Sequence, residues 1–152
     1  MNLHVEIERK FLVVSDEWRE MAAPTHYRQG YLNSDIDRTV RVRVAGAAAW
    51  LTIKSRSEGP SRPEFEYDIP VADANTLLTF CEQPIIEKMR RRIPLDGKVW
   101  EVDEFLGTNA GLVLAEVELE SADQQINLPS WIGAEVTDDS RYFNSYLVKH
   151  PY

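Results

Sequence analysis

The stretch HVEIERKFLV, residues 4–13, sets Glu6, Glu8 and Lys10 on alternate positions, with Val5 and Ile7 between them and Phe11, Leu12 and Val13 following. In an extended chain, side chains at i and i+2 share a face, so the three charges stand on one side and apolar residues on the other. An ordinary half-buried strand turns such charges to water. If they point instead into an enclosed space, the fold is of another kind.

The same period of two recurs along the chain. Residues 3–13, 26–33, 39–45, 48–55, 62–69, 85–94, 98–105 and 112–120 all alternate, which predicts eight strands. Turn signals around Gly46, Gly59 and Gly97 separate several of them; the last two read as connections between antiparallel neighbours. Three segments break the rhythm and read as helices: 15–23, capped by Ser15 or Asp16 and stopped by Pro24; 72–82, with Asp73 as cap; and 138–149, with Thr137 or Asp138 as cap. The reading is an antiparallel, β-rich α+β domain over residues 1–152.

With 43% hydrophobic and 28% charged residues, the composition is that of a soluble globular chain. No apolar run approaches the ~20 residues of a membrane span. No secretory signal is visible, and the single Cys81 cannot form an intramolecular disulfide, so a cytoplasmic location is expected. A net charge of −8 argues against nucleic-acid binding, which rests on many contacts from Lys and Arg to phosphate. The total does not exclude a basic cavity inside an acidic shell. His4, His26 and His150 show no ligand spacing, and Trp18, Trp50, Trp100 and Trp131 are expected to pack an outer layer under the helices.

Sorted by face, nearly every strand is ionic on one side and apolar on the other. Arg41 and Arg43 oppose Val40, Val42 and Val44; Glu101 and Asp103 oppose Trp100 and Val102; Glu116 and Glu118 oppose Ala115, Val117 and Leu119. Thr52 and Lys54 share a face, as do Arg62, Glu64 and Glu66, and Lys88, Arg90 and Arg92. Two architectures satisfy this pattern. One is a sheet or sandwich with solvated ionic faces. The other is a barrel with the ionic faces inward; about eight strands suffice to enclose one small ligand. Same-sign neighbours favour the barrel, because like charges repel unless an ion matches them. Paired carboxylates suit a hard divalent cation, and clustered Arg and Lys suit phosphate. Together they describe a site for a metal–polyphosphate complex.

EIERK resembles the ExExK signature of the CYTH superfamily, the triphosphate tunnel metalloenzymes. YRQGYL (27–32), RVRV (41–44), LTIKS (51–55), SRPEFEYDI (61–69), EKMRRRI (87–93), WEVDEF (100–105), LAEVELE (114–120) and DDSRYFNSYL (138–147) follow in family order over nearly the whole chain. QGYL and the short length look most like the bacterial inorganic triphosphatase branch. The resemblance implies an eight-stranded antiparallel barrel, a tunnel with a charged interior and helices packed outside. It implies that Lys10, Arg41, Arg43, Lys54, Arg62, Lys88, Arg90 and Arg141 bind the triphosphate. Glu6, Glu8, Asp103, Glu116 and Glu118 would hold Mg²⁺ or Mn²⁺, with Glu64 and Glu66 either joining them or orienting the basic residues. Lys54 and Arg62 have the alternative of bracing neighbouring glutamates, and Arg92 and Glu101 read equally as structural or functional. Tyr31, Lys10, Glu6 and Glu8 form the expected catalytic set, with Tyr31 near the scissile phosphate, and the C-terminal helix would cover or plug one end.

The implied activity is metal-dependent hydrolysis of inorganic tripolyphosphate or a related organic triphosphate. An adenylyl cyclase, a thiamine or nucleoside triphosphatase and a non-catalytic polyphosphate-binding module are the alternatives. The expected partner is the small-molecule substrate, with no nucleic acid and no membrane; a homodimer is left open.

Overall fold

The computed structural model describes residues 4–56 and 60–152, apart from the His4 side chain. Among the described residues nine strands form: β1 (His4–Val13), β2 (Thr25–Asn33), β3 (Arg38–Ala45), β4 (Ala48–Ser55), β5 (Ser61–Asp68), β6 (Ile86–Leu95), β7 (Lys98–Phe105), β8 (Val113–Glu118) and β9 (Ile132–Glu135). Two α-helices join them, α1 (Val71–Phe80) and α2 (Asn144–Lys149).

Eight strands close into an antiparallel barrel in the order β1-β5-β4-β3-β2-β6-β7-β8, returning to β1. The opening stretch is the closing strand. One edge of β1 pairs with β8, from Glu8 opposite Glu118 to Leu12 opposite Leu114. Its other edge is shared: His4–Ile7 pair with β5, and Phe11 and Val13 pair with β9. The ninth strand was not expected, because "IGAE" is four residues with no clean alternation. The Asp96-Gly97 pair makes the two-residue turn between β6 and β7, both at positive φ (52° and 74°), as the strands' right-handed twist demands. The turn expected around Gly59 lies outside the described residues, although β4 and β5 pair as a hairpin.

The outward faces carry the core. Phe11, Ile93, Trp100, Val102, Ala115 and Val117 pack under Trp18 and Trp131. Val42, Val44 and Ala49 pack under Ala74 and Leu78 of α1. Trp18, Trp100 and Trp131 therefore lie where expected, but Trp50 does not: it shares the inward face of Thr52 and Lys54 and lines the barrel interior.

The helices depart from expectation at their ends. Residues 15–23 form only a 3₁₀ turn, Glu17–Glu20. Helix α1 starts at Val71, behind Pro70 rather than an Asp73 cap; Asp73 falls in the first turn, where its charge suits the helix dipole. The C-terminal segment splits into a 3₁₀ turn, Ser140–Tyr142, and α2, because Phe143 between them is extended. Asp139, not Asp138, caps the first piece, accepting from the Arg141 backbone N–H at 3.1 Å.

α2 does not pack on the outside. Past Lys10, Lys88, Asp103 and Glu116, the inward-facing positions turn apolar: Leu12, Ile86, Phe105 and Leu114. Leu147 and Val148 of α2 bury against this apolar ring, so the helix stops one end of the barrel. The ring explains why it docks there: buried apolar area is the dominant attraction, at roughly 25 cal/mol per Å².

Candidate active site

The lumen holds a cavity of about 380 Å³. Among the described residues, eight Lys and Arg line it, of the chain's 17, with seven Glu, of its 25 Asp and Glu. The net charge of −8 is thus a property of the exterior, and the cavity is nearly balanced. The two signs are partly sorted by strand, although β1 and β5 carry both. Glu101 (β7), Glu116 and Glu118 (β8) and Glu6 and Glu8 (β1) form one wall; β3, with Arg41 and Arg43, stands across the barrel from β8.

The structure brings together Glu6, Glu8, Lys10, Tyr31, Arg41, Arg43, Lys54, Arg62, Glu64, Glu66, Lys88, Arg90, Glu116 and Glu118 around one space. Arg92 and Glu101 line it as well, 3.4 Å apart. Two expected residues are elsewhere. Arg141 is exposed and paired with Asp139 at 2.6 Å, on the far side of the extended Phe143 from α2. Asp103 faces inward but is buried and does not line the cavity, its oxygens taken by Lys88 Nζ (2.8 Å) and by Arg90 Nε and Nη2 (2.7 and 2.8 Å). That saturation sets Asp103 apart from the carboxylates available to a cation.

The basic residues differ in how far they are satisfied. Lys54 donates to both oxygens of Glu6, at 3.0 and 2.9 Å, and lies 3.9 Å from Glu64. Lys10 lies 3.6 Å from Glu116 and donates to the Tyr142 carbonyl at 3.1 Å. Arg41 donates to the Thr52 hydroxyl (3.3 Å), which donates to Glu66 (3.2 Å). Arg43 donates through Nε to Gln29 at 2.8 Å. Among the described residues, Arg41, Arg43 and Arg62 have no carboxylate within ion-pair distance, and the buried Nε atoms of Arg41 and Arg62 lack any acceptor. Burial, with Arg41 and Arg90 nearby, pulls the Arg43 guanidinium below its ordinary pKa. Burial likewise pulls Lys88 down, opposed by Asp103. Buried guanidiniums such as Arg41, Arg43 and Arg62, with no carboxylate partner among the described residues, favour a bound anion.

The acidic wall sets like charges close together. Burial and the neighbouring Glu6 push the Glu8 carboxyl above its ordinary pKa, against the opposing pull of Lys54 and Lys10. Glu8 also stands cross-strand from Glu118, and Glu116 from Glu101. Clustered carboxylate oxygens fit a hard divalent cation. No three acidic, His or Cys groups among the described residues are arranged to hold an ion by themselves.

Several lining residues were missed by the sequence reading: Tyr27, Thr39, Trp50, Thr137, Phe143, Asn144 and Ser145. Tyr27, Thr39 and Trp50 were legible, since each lies two residues from an inward partner already assigned or four from Tyr31. The Tyr27 ring sits against both Arg43 (5.1 Å) and Arg90 (4.9 Å), a contact that stabilises closely spaced cations.

A barrel with basic and acidic inner walls and one stopped end defines a class of polyanion-binding tunnel protein. The CYTH domain family matches residues 4–147, and the chain belongs to that family. It is 52% identical over 148 residues to an inorganic triphosphatase of Acetivibrio thermocellus, covering 97% of this chain and 95% of that one. It is 41% identical over 147 residues to an inorganic triphosphatase of Nitrosomonas europaea, covering 93% and 95%. The crystal structure of an inorganic triphosphatase superposes with a TM-score of 0.68 at 37% identity, covering 94% of this chain and 93% of the other.

Proposed function

We propose that this chain hydrolyses inorganic tripolyphosphate to pyrophosphate and orthophosphate with the aid of a divalent cation. The observation that carries the reading is the set of lumen arginines that have no counter-ion among the described residues, Arg41, Arg43 and Arg62, facing a wall of clustered carboxylates. The similarity to proteins named inorganic triphosphatases supports the same substrate.

Phosphoryl transfer requires little covalent chemistry from the protein; it requires alignment and neutralisation of charge on the phosphate oxygens. Lys10, Arg41, Arg43, Lys54, Arg62, Lys88 and Arg90 bind the phosphates and hold the chain extended in the lumen. Glu6, Glu8, Glu116 and Glu118 would hold Mg²⁺ or Mn²⁺. A cation there supplies Lewis acidity toward the phosphate oxygens. Glu64 and Glu66 orient basic residues: Glu64 stands beside Lys54, and Glu66 accepts from the Thr52 hydroxyl that holds Arg41. Tyr31 is buried at the junction of the charged lumen and the apolar ring, and its hydroxyl has no hydrogen-bond partner among the described residues. It is thereby left to hold the attacking water or a phosphate oxygen. One water adds and one P–O–P bridge breaks.

Trp50 on the cavity wall favours a second reading, an organic triphosphate whose ring stacks there. Incubation with Mg²⁺ and, separately, tripolyphosphate, ATP and thiamine triphosphate tests both. Orthophosphate and pyrophosphate from tripolyphosphate support the first reading. Turnover of an organic triphosphate with tripolyphosphate left intact supports the second, and a cyclic nucleotide with pyrophosphate identifies a cyclase. Binding without turnover leaves a polyphosphate-binding module.

A further inference from the structure

We propose that Gln29 is a positioning residue for this reaction: it aims Arg43 and, through Asn144, Lys88 at the substrate's phosphates. The inference rests on the functional reading above. Gln29 is fully buried, 0% exposed, and reaches no solvent from β2. Both of its polar atoms are used on residues that line the cavity. It accepts from Arg43 Nε at 2.8 Å and donates to Asn144 Oδ1 at 3.0 Å; Lys88 Nζ donates to the same oxygen at 3.0 Å.

The sense of every bond follows from the two cations at the ends. A guanidinium and an ammonium can only donate. Gln29 must therefore present its oxygen to Arg43, so its amide nitrogen faces Asn144, whose oxygen is the only kind of atom able to take both remaining donors. A guanidinium is planar, so fixing Nε fixes the plane of the whole fork. Both terminal nitrogens of Arg43 then remain without a protein acceptor among the described residues. Lys88 has two of its three protons engaged, by Asn144 and Asp103, which leaves one for a ligand. A purely packing role would not call for an amide here, because a methionine fills similar space without a buried polar group to satisfy.

The test uses the full chain with Mg²⁺ and tripolyphosphate, comparing wild type, Gln29→Met, Arg43→Lys and the double variant. Steady-state kcat and KM are measured, with the Kd for tripolyphosphate by calorimetry without divalent cation. Gln29→Met is expected to raise KM and Kd about tenfold, the scale of one hydrogen bond to a charged group, with kcat changed less than about threefold. Lysine has no Nε–H for Gln29 to hold, so the losses should combine less than multiplicatively: the double variant keeps only the part of the Gln29→Met loss that runs through Asn144 and Lys88. The proposal is overturned if Gln29→Met binds within about twofold of wild type, or if the two losses multiply in the double variant. Should Gln29→Met not fold, Gln29→Glu stands in: it keeps the Arg43 bond but sets an acceptor against Asn144 Oδ1. A Kd raised at least about fivefold supports the relay, and one within about twofold overturns it. If the wild type cleaves a different triphosphate and not tripolyphosphate, only the substrate assignment falls. The same proteins compared on that substrate then support or overturn the role of Gln29 at the same thresholds.

Discussion

Asp103→Asn separates two roles for a buried carboxylate. In the structure this side chain is a counter-ion, receiving Lys88 at 2.8 Å and Arg90 through two bonds of 2.7 and 2.8 Å. The amide keeps the shape but leaves two buried cations without their anion. Removing one partner of a buried ion pair costs roughly 3–5 kcal/mol. At about 2–4 °C per kcal/mol for a chain of this size, the melting midpoint should fall by about 6–20 °C. The pH dependence has a definite sign. Arg90 and Lys88 hold the folded-state pKa of Asp103 far below its ordinary value of 3.8. A carboxylate with a depressed pKa stabilises the fold above its unfolded pKa and loses that contribution as pH falls. The gap between wild type and variant should therefore be widest near neutrality and narrow below about pH 4. Burial already pulls Lys88 down, so without Asp103 it gives up its proton more readily, and the loss of tripolyphosphate affinity should grow with rising pH. Calorimetric melting across pH, with a Mg²⁺ titration, makes the measurement. A variant that melts like wild type but has lost Mg²⁺ affinity would return Asp103 to the metal ligands and refute the reasoning.

Glu8→Gln should abolish turnover yet raise the melting midpoint in chelator at pH 7, by about 2 °C if the relieved repulsion is worth up to about 1 kcal/mol. Because its folded pKa is raised, ionising Glu8 disfavours the fold as pH rises, so the gain should vanish in acid, where the carboxyl is protonated. Gly30→Ala should cost about 1–3 kcal/mol in urea unfolding, since its Cβ would stand 2.8 Å from Cys81 Cβ and 3.1 Å from Ile85 Cγ2. Arg141→Ala should leave kcat/KM within about twofold, because that guanidinium is exposed on Asp139 and makes no contact in the lumen; a loss of tenfold or more would bring it into the site.

Much of the site is local in origin. A strand's two faces alternate by geometry, so the charges of EIERK, RVRV and EKMRRRI had to share their faces wherever the strands went. The same rule extended two residues would have shown Trp50 facing inward and the ring of Leu12, Ile86, Phe105 and Leu114. What alternation cannot fix is whether a sheet curls shut. Closure depended on β1 pairing on both edges with strands more than 50 residues away. The helix Asn144–Lys149 stops the barrel only because Leu147 and Val148 meet that ring across the full length of the chain. Closure also divided the charges by task. Asp103 became a counter-ion because register set it against Arg90, while Arg41 and Arg43 were left facing Thr52 and Trp50, which carry no charge. The sequence by itself determined which residues share a face, because that follows from one strand's geometry. Only the tertiary structure decided which charges were neutralised and which were left for a ligand, because pairing depends on distances between residues far apart in the chain.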